Sequence, residues 1–216
     1  MHPSTSLRLD SQSFIPSLAT DIAKEISMST PFQRKLATIA QEQYAAYRFL
    51  RENQSPLLEQ IERYWTETGH AFEGVEPPWS AVFVSWCVKQ AGATPEQFKF
   101  SARHSAFVYE AIKNADQPNA AFRGHAVSKY PPKLGDILQN NRAGNRFDFA
   151  YASQHSGYVS HSAIVMEVGM DNHGRYLRTI GGNESDSVGM KEVRLNADGL
   201  VINPQGLYIS VLECAL

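Results

Sequence analysis

Residues 77–92 read PPWSAVFVSWCVKQAG, and this stretch decides how the rest of the chain is interpreted. Pro77 and Pro78 precede a strongly apolar run that Gly92 ends, a pattern that predicts a mostly buried helix of about four turns. Ser80 lies near the start of this helix, where backbone N–H groups have no acceptor within the helix. Their positive potential favours an anionic group, so Ser80 is a candidate nucleophile as well as an ordinary helix-capping residue.

Three further helices are predicted around this one. Thr30-Pro31 starts a helix that runs through FQRKLATIAQEQYAAYRFLREN, and Ser55-Pro56 repeats the same signal before LLEQIERYWTETG. SARHSAFVYEAIKNA predicts a fourth helix with Ser101 as its cap, and the following QPNAAFRGHAVSKYPPK is expected to be irregular. The helical half of the chain is therefore expected over residues 17–114.

The pattern changes to short β-rich runs over residues 134–214. The runs GDIL, HSAIVMEV, RYLRTIGG, MKEVRL and LYISVLE are separated by clusters of Gly, Asn and Asp. DNHGR is expected to form a hairpin turn, and NADG a second turn. Helices followed by a meander predict an α+β fold, with the N-terminal helices packed on an antiparallel sheet.

The composition is that of an ordinary globular protein. Of the 216 residues, 43% are hydrophobic and 19% are charged, and the formal net charge is −2. A chain without a broad basic surface is not expected to bind nucleic acid or an anionic membrane. Residues 1–16 are polar and Ser-rich, so we expect a flexible arm there and a single domain over residues 17–216.

Cysteine usage and the first residues bear on the cellular compartment. Cys87 and Cys214 are too few for a disulfide framework and are expected to be free thiols made in a reducing compartment. The opening MHPSTSLRLDSQSF lacks the basic segment and apolar run of a Sec signal, so we expect synthesis in the cytoplasm without Sec export. The histidines show no HExxH or Cys-His ligand spacing, which predicts neither a metal nor another cofactor.

Four segments follow one another between residues 75 and 195: PPWSAVFVSWCVKQAG, PPKLGDIL, HSAIVMEV and IGGNESDSVGM. Their order and spacing resemble the papain-like NlpC-type and CHAP peptidoglycan hydrolases. In those families a Pro-Trp-Cys-Ala-x-Phe helix precedes a Gly-Asp-Ile strand, a His-x-x-Ile-Val strand and a Gly-Gly-Asn segment. The resemblance implies a papain-like fold and hydrolysis of an amide bond, usually a γ-glutamyl link, in the peptide stem of the cell wall.

The resemblance also implies a catalytic set. Ser80 takes the position of the nucleophile, His161 that of the general base, and Asn183 that of the polar residue that orients the imidazole. These families usually have cysteine where this chain has Ser80, and a serine hydroxyl is a much weaker acid than a thiol. Asp136 matches the Gly-Asp of the family, where it looks like a structural acid.

Three further candidate site residues could equally have a packing role. Cys87 is the alternative nucleophile, although seven residues of helix place it about 10 Å deeper than Ser80, and a buried packing role is the competing interpretation. Trp79 and His104 are candidates for binding substrate in the cleft, and both are also residue types that pack in cores. The segment 142–160 is long for a connection between strands, which makes it a candidate lid.

We therefore expect an amidase or endopeptidase that degrades peptidoglycan. The missing Sec signal favours an antibacterial toxin delivered by type VI secretion, or alternatively a phage lysis enzyme. Such a toxin acts in the periplasm of a target cell, with an immunity protein and a secretion-machine carrier as partners. A catalytically silent papain-like module that binds peptidoglycan or a protein is the rival from another class, and an acyltransferase or lipid-modifying relative is the second rival.

Overall fold

The structure is a computed structural model, and it describes residues 29–216. Helices come first along this range and strands dominate the second part. The elements, in chain order, are α1 (Pro31–Tyr47), α2 (Leu57–Thr66), α3 (Ser80–Ala91), α4 (His104–Lys113), β1 (Phe122–Ala126), β2 (Ile137–Asn141), α5 (Phe149–Ala152), β3 (Ser160–Asp171), β4 (Gly174–Gly181), β5 (Gly189–Arg194) and β6 (Tyr208–Cys214).

The six strands form one antiparallel sheet in the order β1-β6-β2-β3-β4-β5. Strands β2 to β5 are consecutive neighbours, which is the predicted meander, and β6 returns to pair with β2. The hairpin at DNHGR joins β3 to β4, where Asp171 lies opposite Gly174. The predicted α+β class, with helices and an antiparallel sheet, is confirmed.

Two hydrophobic cores lie on the two faces of this sheet. Successive side chains of a strand point to opposite faces, so Ile137 and its neighbour Leu138 enter different cores. The larger core packs the sheet against the helices and contains the fully buried Tyr64, Phe83 and Ile164. Because α3 is buried along most of its length, the predicted character of residues 77–92 is confirmed.

The start of α1 shows how local sequence fixes an element. Thr30 and Gln33 form a capping box, in which the Thr30 side chain accepts from the Gln33 N–H while the Gln33 side chain accepts from the Thr30 N–H. Pro31 follows as the first helical residue, as the sequence predicts. The Gln33 side-chain amide also donates to the Cys214 carbonyl at 2.6 Å, which ties α1 to the end of β6.

Three local predictions are wrong. Ser55 does not cap α2, because the N-cap of that helix is Pro56 and no side chain makes a capping hydrogen bond there. The stretch expected to be irregular contains β1, an edge strand paired with β6. Ser101 does not cap the fourth helix: α4 begins at His104 and Arg103 is its N-cap, while the Ser101 hydroxyl accepts a hydrogen bond from the Arg103 N–H.

The predicted arm, residues 1–16, lies outside the described residues. Within residues 29–216, no helix combines the length and apolar character needed to cross a membrane.

Asp136 joins strands at the centre of the fold. It is fully buried, and its carboxylate accepts hydrogen bonds from the backbone N–H groups of Lys133 and Cys214, both at 2.8 Å. Burial raises the pKa of Asp136 to about 7, although the two backbone donors act in the opposite direction. These contacts connect the turn before β2 to the end of β6, which is the structural role expected of this residue.

Candidate active site

Ser80 is the first residue of α3, and its side chain is buried. The first helical hydrogen bond runs from the Phe83 N–H to the Trp79 carbonyl at 3.0 Å, so Trp79 is the N-cap. Pro77 and Pro78 precede the N-cap directly. Only 2% of Ser80 is exposed, and the sequence-predicted location at a helix start is what the structure has.

The Ser80 hydroxyl contacts a histidine from the neighbouring helix. Its Oγ lies 2.7 Å from Nε2 of His104, which is the first residue of α4 and is 6% exposed. Burial, followed by the charges of His161 and Arg142, lowers the pKa of His104 well below its ordinary value. At neutral pH this imidazole is therefore uncharged and able to accept the proton of Ser80.

His161 is held by a carboxylate. It lies near the start of β3, and its Nε2 is 2.8 Å from Oε1 of Glu184, whose other oxygen is 2.5 Å from Nζ of Lys191. Burial acts to raise the pKa of Glu184, but the interactions with His161 and Lys191 outweigh it and lower this pKa to about 2. Glu184 is therefore ionised throughout the neutral range and can stabilise an imidazolium at His161.

The two pairs lie next to each other. The rings of His104 and His161 are 5.2 Å apart between centroids, at an angle of 59°. Nδ1 of each ring is buried and has no hydrogen-bond partner among residues 29–216. Ser80, His104, His161 and Glu184 therefore form one cluster. His104 keeps Nδ1 unpaired, and Nε2 of His161 lies within ion-pair distance of Glu184 without the geometry of a hydrogen bond.

Asn183 is not the residue that the structure brings to His161. Asn183 has a φ of 53°, and its carbonyl accepts from Nη2 of Arg142 at 3.5 Å. The next residue, Glu184, makes the contact with the imidazole instead. The Gly-Gly-Asn pattern predicts Asn183 and overlooks Glu184. The signal that could have identified Glu184 is its carboxylate, because an acidic side chain next to the pattern can pair with an imidazole.

The two glycines before Asn183 are explained by close approaches. A Cβ on Gly181 would lie 3.0 Å from Nε2 of His161, and a Cβ on Gly182 would lie 2.6 Å from side-chain atoms of Trp79 and Phe83. The distance at Gly182 leaves no room for a methyl group, and the distance at Gly181 allows one only if His161 shifts, so the Gly-Gly pair lets the chain pass between the start of α3 and His161.

A cleft of about 570 Å³ opens beside Ser80 and His104. Its walls come from Pro78, Ser80 and Ala81, from residues 102–104 and from both ends of the segment 142–160. Part of this segment forms α5, and its rings pack together, with Phe147 and Tyr151 stacked 4.4 Å apart between centroids. The segment borders the cleft, and its action as a lid stays a prediction.

The comparison with known proteins gives a family. Residues 37–211 match the family described as "Uncharacterized protein conserved in bacteria (DUF2272)". The chain belongs to this family. No curated protein and no solved structure matches the chain significantly. The matched range includes the whole cluster from Ser80 to Glu184, so the candidate site belongs to the part of the chain that is shared with DUF2272.

Two other predicted site residues of this DUF2272 protein are buried in its core. Trp79 is fully buried, stacks on Tyr64 at 6.0 Å between centroids and donates from Nε1 to Glu52 at 2.8 Å. Cys87 is also fully buried, and burial raises its thiol pKa well above the ordinary value. Neither residue lines the cleft beside Ser80, and the burial of the Cys87 thiol outweighs a backbone hydrogen bond that would favour the thiolate.

Proposed function

We propose that this protein is a papain-like amide hydrolase that cleaves the peptide part of bacterial peptidoglycan, with Ser80 as its nucleophile. The observation that carries the proposal is the 2.7 Å contact between the Ser80 hydroxyl and His104 at the edge of a cleft. A serine needs a neighbouring base to attack an amide, and a neutral imidazole within hydrogen-bond distance is such a base. The sequence resemblance to wall hydrolases supplies the substrate class.

The first half of the reaction forms an acyl-enzyme. Ser80 Oγ attacks the amide carbon while its proton passes to Nε2 of His104. Backbone N–H groups in the first turn of α3 lack acceptors within the helix and are available to the oxyanion of the tetrahedral intermediate. His104 then returns the proton to the leaving nitrogen, the C–N bond breaks, and an amine departs.

Water completes the cycle. His104 takes a proton from a water molecule that attacks the ester carbon, and it returns that proton to Ser80 Oγ as the carboxylic acid is released. His161, with Glu184 behind it, is the second candidate for the base, because a carboxylate partner stabilises the positive charge that a base acquires. We assign the base to His104, since its contact with Ser80 exists in the structure.

A catalytically silent module that binds peptidoglycan is the second candidate function. The observation that favours it is the burial of the nucleophile, because Ser80 is 2% and His104 6% exposed. Substrate has to reach the attacking hydroxyl. In a hydrolase, residues that cover Ser80 and His104 would therefore have to move when substrate binds. The expected delivery as a toxin, with its carrier and immunity protein, rests on the sequence alone and stays a prediction.

Purified sacculi separate the two functions. The protein is incubated with sacculi, and the soluble products are identified by mass spectrometry. A hydrolase releases peptides with one new amine and one new carboxyl group, whereas a binding module sediments with the sacculi and releases nothing. Ser85→Ala is the matched control for Ser80→Ala, because Ser85 is a buried serine of the same helix that bonds to Ser101 and not to a histidine.

A further inference from the structure

The cleft beside Ser80 carries positive charge without a matching negative charge. Arg103 and Arg142 contribute this charge to its walls, whereas His104, which also lines the cleft, is neutral. Among the described residues that line the cleft, none is an aspartate or a glutamate. A cavity whose fixed charges are all guanidinium groups favours an anionic ligand.

Arg142 is the better placed of the two arginines to bind one. Its hydrogen bond to the Asn183 carbonyl, at 3.5 Å, is long, and within residues 29–216 it forms no ion pair with a carboxylate. A guanidinium group has five N–H donors in a planar arrangement that matches the two oxygens of a carboxylate. Most of this donor capacity is therefore available to a ligand.

The backbone around Arg142 is fixed. Asn141, the last residue of β2, accepts from the Phe147 N–H at 2.9 Å and donates to the carbonyls of Phe147 and Gly206 at 2.9 and 3.1 Å. Directly after Arg142 the chain turns at Ala143, which has a φ of 56°. Arg142 therefore projects from the end of a sheet strand, and a site on such a rigid support is positioned more precisely than one on a free loop.

We infer that Arg142 binds a free carboxylate of the substrate close to the scissile amide, so that carboxylate-bearing peptides are the preferred substrate class. The inference deepens the proposed function and rests on it for the bond that is cut. Arg142 also lies near enough to the reacting pair for its charge to add to the effects of burial and of His161 that lower the pKa of His104. A bound carboxylate would offset this charge.

The test uses two synthetic wall tetrapeptides that differ only in their α-carboxyl groups, which are free in one and converted to primary amides in the other. The protein should cleave the free acid about 10- to 100-fold more efficiently, as expected for charge-assisted bidentate hydrogen bonds. Arg142→Ala should lose this preference by slowing cleavage of the acid alone, and Arg142→Lys should keep part of it. Arg146→Ala is the matched control, because Arg146 is an exposed arginine of the same loop that bonds to the Gln205 carbonyl.

Binding is measured separately from cleavage. In the Ser80→Ala background, calorimetry should give at least about tenfold tighter binding of the acid than of the amide, and adding Arg142→Ala should abolish the difference. Equal binding of the two peptides, or no measurable binding of the acid, overturns the inference whether or not the protein cuts peptidoglycan. If the wild type cuts neither peptide, the proposed function fails, and the calorimetry alone decides whether Arg142 binds a carboxylate.

Discussion

The Ser80 hydroxyl lies 2.7 Å from Nε2 of His104, and the two residues are the first residues of consecutive helices, α3 and α4. Each helix start leaves backbone N–H groups without acceptors, so a hydroxyl and an imidazole meet in a region of positive potential. This potential favours a deprotonated oxygen at Ser80 and a neutral ring at His104. The relationship brings together the proposed nucleophile and the proposed base, two residues 24 positions apart.

Ser80 is predicted to be indispensable for cleavage. Ser80→Ala should abolish release of soluble wall peptides, and it should lower the free energy of unfolding by about 1 to 3 kcal/mol because His104 loses its buried partner. Ser80→Cys should retain or raise the activity, since a thiol ionises more readily at a helix start than a hydroxyl does. Product release from sacculi and urea unfolding measure the two effects.

Cys87→Ala is the contrasting variant in the same helix. The thiol is fully buried, so its removal should reduce stability through lost packing and leave activity per folded molecule unchanged. Rapid inactivation by iodoacetamide that disappears in Cys87→Ala, together with full activity of Ser80→Ala, would show that Ser80 is not the nucleophile.

The two histidines are predicted to contribute unequally. His104→Ala removes the group that contacts Ser80, so the rate of cleavage should fall by about 10²- to 10⁴-fold. His161→Ala should have a smaller effect, because Ser80 keeps its contact with His104. His173→Ala is the control, since His173 lies exposed in the hairpin turn between β3 and β4. Initial rates from sacculi compare the variants, and the opposite order of effects would assign the base to His161.

The pH dependence follows from the lowered pKa of His104. A base has to be neutral, and a lowered pKa means that His104 becomes protonated only at pH values well below 6.5. The fall of kcat/KM on the acid side of its pH profile should therefore occur below pH 6.5. Activity should be retained between pH 6.5 and the neutral range. A limb above pH 6.5 in the free enzyme would contradict the assignment of His104 as base.

The sequence predicts those parts of this fold that depend on local signals. Thr30-Pro31 and the hairpin at residues 171–174 contain their own start and turn residues, so these elements follow from a few adjacent positions. Strand β1 was missed because FRGHA has a glycine at its centre and lies at the edge of the sheet. There Gly124 approaches Ile112 so closely that a Cβ would lie 2.6 Å away, a requirement that arises only from the packing of α4 on the sheet.

The site shows the same division. The resemblance predicts Ser80 and His161 from motifs, and the third residue that it predicts, Asn183, directly precedes the carboxylate that contacts His161. His104 is predicted only to bind substrate in the cleft. The pattern around it predicts a helix capped by Ser101, and it does not indicate that this helix starts at His104 and faces Ser80. Contacts between elements far apart in sequence depend on how helices pack, and spacing along the chain does not determine that packing.

Asp136 is predicted to make stability depend on pH. Its pKa is about 7 in the folded protein and about 4 in an unfolded chain, so between these values the folded state binds more protons than the unfolded state. The contribution of this carboxyl to the free energy of unfolding therefore falls as the pH rises from about 4 to about 7. Asp136→Asn cannot titrate and should lack this component. Urea unfolding at pH 5 and pH 8 compares the two proteins, and equal pH dependence would refute the prediction.

Alanine substitutions in the Gly181-Gly182 pair are predicted to differ in effect. Gly181→Ala should mainly lower activity, and Gly182→Ala should mainly lower stability. A Cβ on Gly181 would lie 3.0 Å from Nε2 of His161 and 3.3 Å from Oε1 of Glu184, so Gly181→Ala should displace the imidazole from its carboxylate and lower the rate of cleavage more than the stability. A Cβ on Gly182 would lie 2.6 Å from atoms of Trp79 and Phe83, two large core residues, so Gly182→Ala should cost about 1 to 3 kcal/mol of unfolding free energy.

Gly157→Ala is the stability control for this pair, because a Cβ there meets nothing within 4 Å and its φ is not in the left-handed region. Its unfolding free energy should match that of the wild type. Rates from sacculi and urea unfolding are measured on all three variants. If Gly181→Ala and Gly182→Ala lose stability equally and keep full activity per folded molecule, the contact between His161 and Glu184 has no part in the reaction. If Gly181→Ala alone loses activity, the pair between His161 and Glu184 has to keep its geometry for Ser80 and His104 to work.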